Sequence, residues 1–180
     1  RVRSSAASDV YKRQLHRMRA LSALTPRGQI SRLRQMAYAA LERYDLPVRR
    51  VRSVANHLNT IFRVDTVDHR TFALRISHPT WRTVQDLASE LAWLRALHRD
   101  TDIGAPDPLP ARDGTLMVDV AIPSVPEPRR CVVMSWIPGI DLAERLSEAN
   151  LFKLGTVAAR LHEHGSSFHP PADFTARRMD

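Results

Sequence analysis

Between Val48 and Ile76 three short runs interleave apolar with polar residues, and a four-residue link, Val67-Asp68-His69-Arg70, joins the second run to the third. A period of two sends alternate side chains to opposite faces of a strand, so these three runs read as strands and not as helix. In Thr60–Thr66 the apolar positions are Phe62 and Val64; in Thr71–Ile76 they are Phe72, Leu74 and Ile76. The run Val48–Val54 is threaded with arginines. So short a link suits an antiparallel hairpin, because a parallel crossover needs a dozen residues or more.

Helical patterns lie on both sides of these runs. Thr25-Pro26 reads as an N-cap followed by proline at the first helical position, where the missing N–H costs nothing. Ile30, Leu33, Ala37, Ala40, Leu41 and Tyr44 then recur at helical spacing until Pro47. His78-Pro79 breaks the third strand, after which Val84, Leu87, Ala88, Leu91, Leu94 and His98 mark one face of a second long helix. Pro106, Pro108 and Pro110 predict an extended connector. Asp113-Gly114 predicts a turn before the apolar run Thr115–Ile122, and a second proline-rich loop spans Pro123–Pro128. Cys131–Ile137 is a continuous apolar strand stopped by Pro138-Gly139. From Asp141 the pattern is helical, with Asn150 as a cap and Leu151, Leu154, Ala158 and Leu161 as an inward stripe. The order is that of an α+β plan, with a five-stranded antiparallel sheet and helices segregated after it.

Composition matters chiefly through charge. A formal excess of +8 could indicate a nucleic-acid or anionic-membrane partner. The distribution argues otherwise, since the basic residues are scattered, only Lys12 and Lys153 are lysines, and no aromatic stacking platform accompanies them. No apolar run approaches the roughly 18 residues of a membrane span. A single cysteine, Cys131, allows no intrachain disulfide, and no apolar segment of a signal peptide follows the basic start, so a cytoplasmic location is expected.

The first fourteen residues stand apart. Ser4–Gln14, SSAASDVYKRQ, back-translates without a gap to a sequence that resembles a transposase sequencing adapter, which implies that residues 1–14 are a non-native tail. Setting them aside lowers the excess to about +5.

Three pieces in order carry a family resemblance. In Thr71-Phe72-Ala73-Leu74-Arg75-Ile76 a small residue and a basic residue share one strand face, and an acid, Glu90, follows on the next helix. An apolar strand then runs into a hinge-like Ser135-Trp136-Ile137-Pro138-Gly139. This arrangement resembles the N-lobe of the protein-kinase-like fold and is most similar to the aminoglycoside phosphotransferase family, which includes choline, homoserine and fructosamine kinases. Matching segments are Asn59–Val64, Phe72–Ile76, Ser89–Leu94, Val133–Gly139 and Ala158–His162. The basic residue is arginine where most kinases place lysine, and the turn Ala55–Asn59 contains no glycine.

The resemblance implies ATP and Mg2+ as cofactors and an unidentified small-molecule hydroxyl as phosphate acceptor. Ile61 and Ala73 then cover the adenine, with Met134 behind it. Ser135 offers its carbonyl and Ile137 its N–H at the hinge, beside Trp136. Arg75 holds the α and β phosphates, and Glu90 faces Arg75 across a cleft and orients it. The residues themselves also allow a surface ion pair at Arg75 and Glu90, a core filler at Met134 and a packed aromatic at Trp136. Cys131 reads as a buried strand residue. His162 and His164 point about 200° apart on a helix, so a packing role is expected in place of a shared metal.

The family's H-x-D-x-x-x-x-N loop and the metal-binding segment after it are absent. The chain is therefore expected to be a truncated N-terminal portion of an enzyme, inactive alone. The expected organisation is an adapter-derived tail at 1–14, a helical segment at 15–46, a kinase-like N-lobe at 47–134, a hinge at 135–140 and the start of a helical C-lobe at 141–180. A stress-response Ser/Thr kinase of the same fold is an alternative, as is a non-catalytic partner-binding module motivated by Arg75 and the glycine-free turn.

Overall fold

The computed structural model describes residues 20–172 and 174–175. The adapter-like segment 1–14 lies outside them. A helix α1 (Pro26–Leu41) precedes three strands, β1 (Val48–Asn56), β2 (Thr60–Thr66) and β3 (Thr71–Ile76). There follow α2 (Val84–Asp100), β4 (Val118–Ile122), β5 (Val125–Ser135) and α3 (Glu148–Ser167). The five strands form one sheet in the order β1-β2-β3-β5-β4, the antiparallel α+β plan read from the sequence. No helix among the described residues is long and apolar enough to cross a membrane.

Two compact units divide the chain, one holding residues up to Trp81 together with Pro110–Val133, the other Arg82–Leu109 and the chain from Met134 onward. In the first unit α1 covers one face of the sheet. Its start is set by Thr25, whose Oγ1 accepts from the Gly28 N–H at 3.3 Å. Leu33, Met36, Ala37, Ala40 and Leu41 are buried, joined by Tyr44 just beyond the helix. Met36 completes the stripe, and the helix ends at Leu41, before Pro47, because the Arg43 and Tyr44 N–H groups tighten onto Ala40 and Leu41 carbonyls. Phe62, Val64, Leu74 and Ile76 supply the sheet's side of this core, with Val118, Val120, Cys131 and Val133. Burial pushes the Cys131 thiol and the Tyr44 hydroxyl each up to about 12.

Expectation and structure differ at β5. The sequence predicts a proline-rich loop over Pro123–Pro128 and a strand from Cys131. Instead the strand begins at Val125, and only Pro123-Ser124 separates it from β4. Prolines at 126 and 128 give no N–H to a ladder, and the pairing tolerates them because a register irregularity falls opposite, between Val120 and Ile122.

In the second unit α2 starts on a capping box. Thr83 Oγ1 accepts from the Asp86 N–H and Asp86 Oδ2 accepts from the Thr83 N–H, both at 3.0 Å. Leu87, Leu91, Ala96 and Leu97 are its buried residues, together with Ser89. The last helix, α3, is capped by Ser147, which accepts from the Asn150 N–H at 3.2 Å. Asn150, the expected cap, instead donates to the Arg145 carbonyl. The stripe expected to face inward is open on α3: Leu151 and Leu154 are exposed, as are Phe152 and Val157.

The β2–β3 link places His69 at φ 64, in the left-handed region. Thr66 closes the loop by exchanging hydrogen bonds with Arg70 and His69. A β-branched side chain is costly there, whereas asparagine and glycine tolerate it. His69→Val should lower unfolding free energy by about 1–2 kcal/mol, and His69→Asn should leave it within about 0.5 kcal/mol, both read from urea denaturation.

Candidate functional site

The β2–β3 register pairs Ile61 with Arg75 and Arg63 with Ala73. Alternation therefore puts Ile61, Ala73 and Arg75 on the sheet face opposite Phe62, Leu74 and Ile76, away from the α1 core. Ile61 and Ala73 are half-buried, and Arg75 is only 8% exposed. Arginine brings a planar, permanently charged guanidinium to this face.

The same face carries an ion cluster that sequence reasoning missed. Asp65 accepts from Arg63 Nε at 2.8 Å and from Arg52 Nη2 at 2.9 Å, although its side chain is only 10% exposed. The Arg63 hydrogen bond, aided by Arg52 and opposed by burial, holds the Asp65 carboxyl below its ordinary range. The available signal was the Arg63-x-Asp65 alternation; the contribution of Arg52 depends on its pairing with Arg63 across β1 and β2.

The remaining expected site residues lie in the other unit. Met134 is buried, Ser135 and Trp136 are half-buried, and Ile137 is exposed. Ser135 is tied to the connector twice: its N–H donates to the Asp107 carbonyl, and its Oγ accepts from the Asp107 N–H, both at 2.8 Å. An isolated antiparallel bridge between Pro108 and Met134 extends the contact. The prolines on either side of Asp107 read only as a spacer, so its hold on Ser135 was not visible in the sequence. Glu90 lies half-buried on α2, with its Oε2 3.6 Å from Arg82 Nη1.

His164 is buried and His162 exposed. Trp93 Nε1 donates to His164 Nδ1 at 3.2 Å, so the other ring nitrogen carries the proton toward Asp100, 3.3 Å away. The ring joins α3 to α2, which is the packing role expected of it. Among the described residues no group of three His, Cys, Asp or Glu side chains could hold a metal ion.

A five-stranded antiparallel sheet with a small residue and a cation on one face of its third strand is the protein-kinase-like N-lobe plan. Residues 48–180 match the model of the phosphotransferase enzyme family (APH), and the chain belongs to that family. The microcompartment-associated aminopropanol kinase has a similar structure, with a TM-score of 0.69 and 30% identity, over 81% of this chain and 45% of that one. An amicoumacin kinase, solved with AMP-PNP and Ca2+, shares the fold at a TM-score of 0.62 and 19% identity, over 76% of this chain and 40% of that one. An uncharacterised protein of Synechocystis is 33% identical over 116 residues, which are 64% of this chain and 31% of that protein. The chain thus spans less than half the length of each of these relatives.

Asp65 gives a pH prediction. A carboxyl whose folded pKa is depressed contributes stability that is fully present above its unfolded value, about 3.9, and is lost as pH falls through the folded value. Asp65→Asn should therefore destabilise the protein at pH 7, and the gap to wild type should shrink on acidification below about pH 4. Urea midpoints at pH 7 and pH 3 for both proteins measure this.

Proposed function

We propose that this chain supplies the nucleotide-clamping lobe of a kinase that uses Mg-ATP to phosphorylate a small-molecule hydroxyl by direct in-line transfer. The observation that carries the proposal is the convergence of Ile61, Ala73 and Arg75 on one sheet face in a chain of this family. Bound Mg-ATP supplies the transferable phosphoryl group. Ile61 and Ala73 offer it a flat apolar surface, and Met134 closes the back. The Ser135 carbonyl and the Ile137 N–H recognise the adenine through main-chain hydrogen bonds, which leaves their side chains free to vary. Holding Ser135 on Asp107 fixes the direction of that backbone.

Arg75 makes charge-assisted hydrogen bonds to phosphate oxygens, and Glu90 orients it. Arginine brings a fork geometry and a permanent charge where lysine would bring a compact point charge. The H-x-D-x-x-x-x-N loop is not in this chain. We therefore assign it binding and orientation, with no turnover of its own. A non-catalytic, partner-binding role is the second reading, favoured by the glycine-free turn between β1 and β2.

Titration with a fluorescent ATP analogue and Mg2+ tests the assignment. Saturable binding that ATP displaces is expected, with Arg75→Ala weakening it at least about tenfold and Glu90→Gln weakening it less. Thermal midpoints should move little. Unchanged affinity in Arg75→Ala would overturn Arg75's role, and phosphoryl transfer by the purified chain would overturn its assignment as a binding lobe only.

A further inference from the structure

On the α1-covered side of the first unit lies a cavity of about 780 Å³, bounded by Gln29 and Arg32 of α1, the β1–β2 turn at His57, the loop after β3 at His78, and Ser124 and Arg129 of the β4–β5 hairpin. Its volume falls within the range of small-molecule sites. It opens on the sheet face opposite Ile61, Ala73 and Arg75, so it is separate from the proposed nucleotide surface.

Arg129 is out of place in this wall. Register pairs it with Val120, and alternation puts it on the face of Cys131 and Val133, a core face where an aliphatic residue is the ordinary choice. Its side chain is only 10% exposed, and its Nε is buried without a hydrogen-bond partner among the described residues. One carboxylate approaches it: Glu127 Oε2 stands 3.6 Å from Nη2, beyond hydrogen-bond reach, on a side chain that is 69% exposed. Desolvation pulls the Arg129 pKa down, the mark of a cation whose burial is poorly compensated. Arg32 adds a second guanidinium to the wall, with one nitrogen donating to the Ser124 carbonyl at 3.3 Å. A guanidinium is costly to bury unless an anion and good hydrogen bonds accompany it, and water can supply only the hydrogen bonds.

We infer that this cavity is a second ligand site, taking a small organic anion whose phosphate or carboxylate head seats on Arg129 beside Arg32. The head group fills the open donor positions of Arg129, and the molecule's body occupies the space between α1 and the strand ends. The site is a recognition site only. Its separation from Arg75 suits a ligand that is neither the nucleotide nor its phosphate acceptor.

The test is an NMR titration of the whole chain that follows the Arg129 side-chain Nε–H resonance. Inorganic phosphate and citrate are the probes, at ionic strength matched with sodium chloride. A saturable shift of that resonance with either probe is expected, and its retention in Arg75→Ala separates this site from the nucleotide surface. Phosphate alone giving the shift assigns a phosphate head; citrate alone assigns a carboxylate. Arg129→Met should fold, because it replaces a poorly compensated buried charge with an apolar chain of similar length. By calorimetry it should lose at least about tenfold in probe affinity, and Glu127→Gln should bind as well as wild type or better. An unmoved Arg129 resonance with both probes overturns the proposal whether or not Arg129→Met folds, and so does undiminished affinity in a folded Arg129→Met. A shift that disappears in Arg75→Ala also overturns it.

Discussion

Pairing of Phe62 with Leu74 across β2 and β3 is the contact on which the rest of this architecture depends. Both side chains are fully buried, and their register decides which face each neighbour occupies. A slip by one residue would send Leu74 out and drive Arg75 into the α1 core, exchanging an apolar side chain for a charge. The short Thr66–Arg70 loop guards against that slip by closing on its own backbone. Hydrophobic burial on one face thus positions the cation on the other without any direct interaction between the two.

Much of this was legible because it is periodic. The β2–β3 hairpin, α1 and α2 were readable from spacing, and the family resemblance rested on segments that the family model and the shared fold support. What escaped reading was long-range. Asp65 collects Arg52 through strand pairing, Asp107 reaches Ser135 across 28 residues, and Arg129 is exceptional only once its face is known. The start of β5 was hidden for a different reason: prolines normally argue against a strand, and only the irregular pairing with β4 makes room for them.

Two buried charges in the same sheet illustrate opposite solutions. Asp65 accepts from two arginines whose own heads remain well solvated, so the desolvated partner is the one best supplied with hydrogen bonds. Arg129 reverses the arrangement: the cation is desolvated and its acidic neighbour is the solvated member. The difference follows from position. Asp65 sits where long side chains from adjacent strands converge, while Arg129 stands on the core face of β5 with the exposed Glu127 carboxylate 3.6 Å away.

The chemistry of Cys131 extends beyond its place in the core. A lone thiol with no measurable exposure and an ionisation pushed to about 12 is almost wholly unionised at neutral pH, and no reagent can reach it while β5 stays packed between its neighbours. Its rate of alkylation is therefore a clock for the opening of the sheet itself. A maleimide dye added to the native chain would count excursions that expose the centre of the lobe and ignore the fraying of its edges, so the protein carries its own single-site probe of conformational opening.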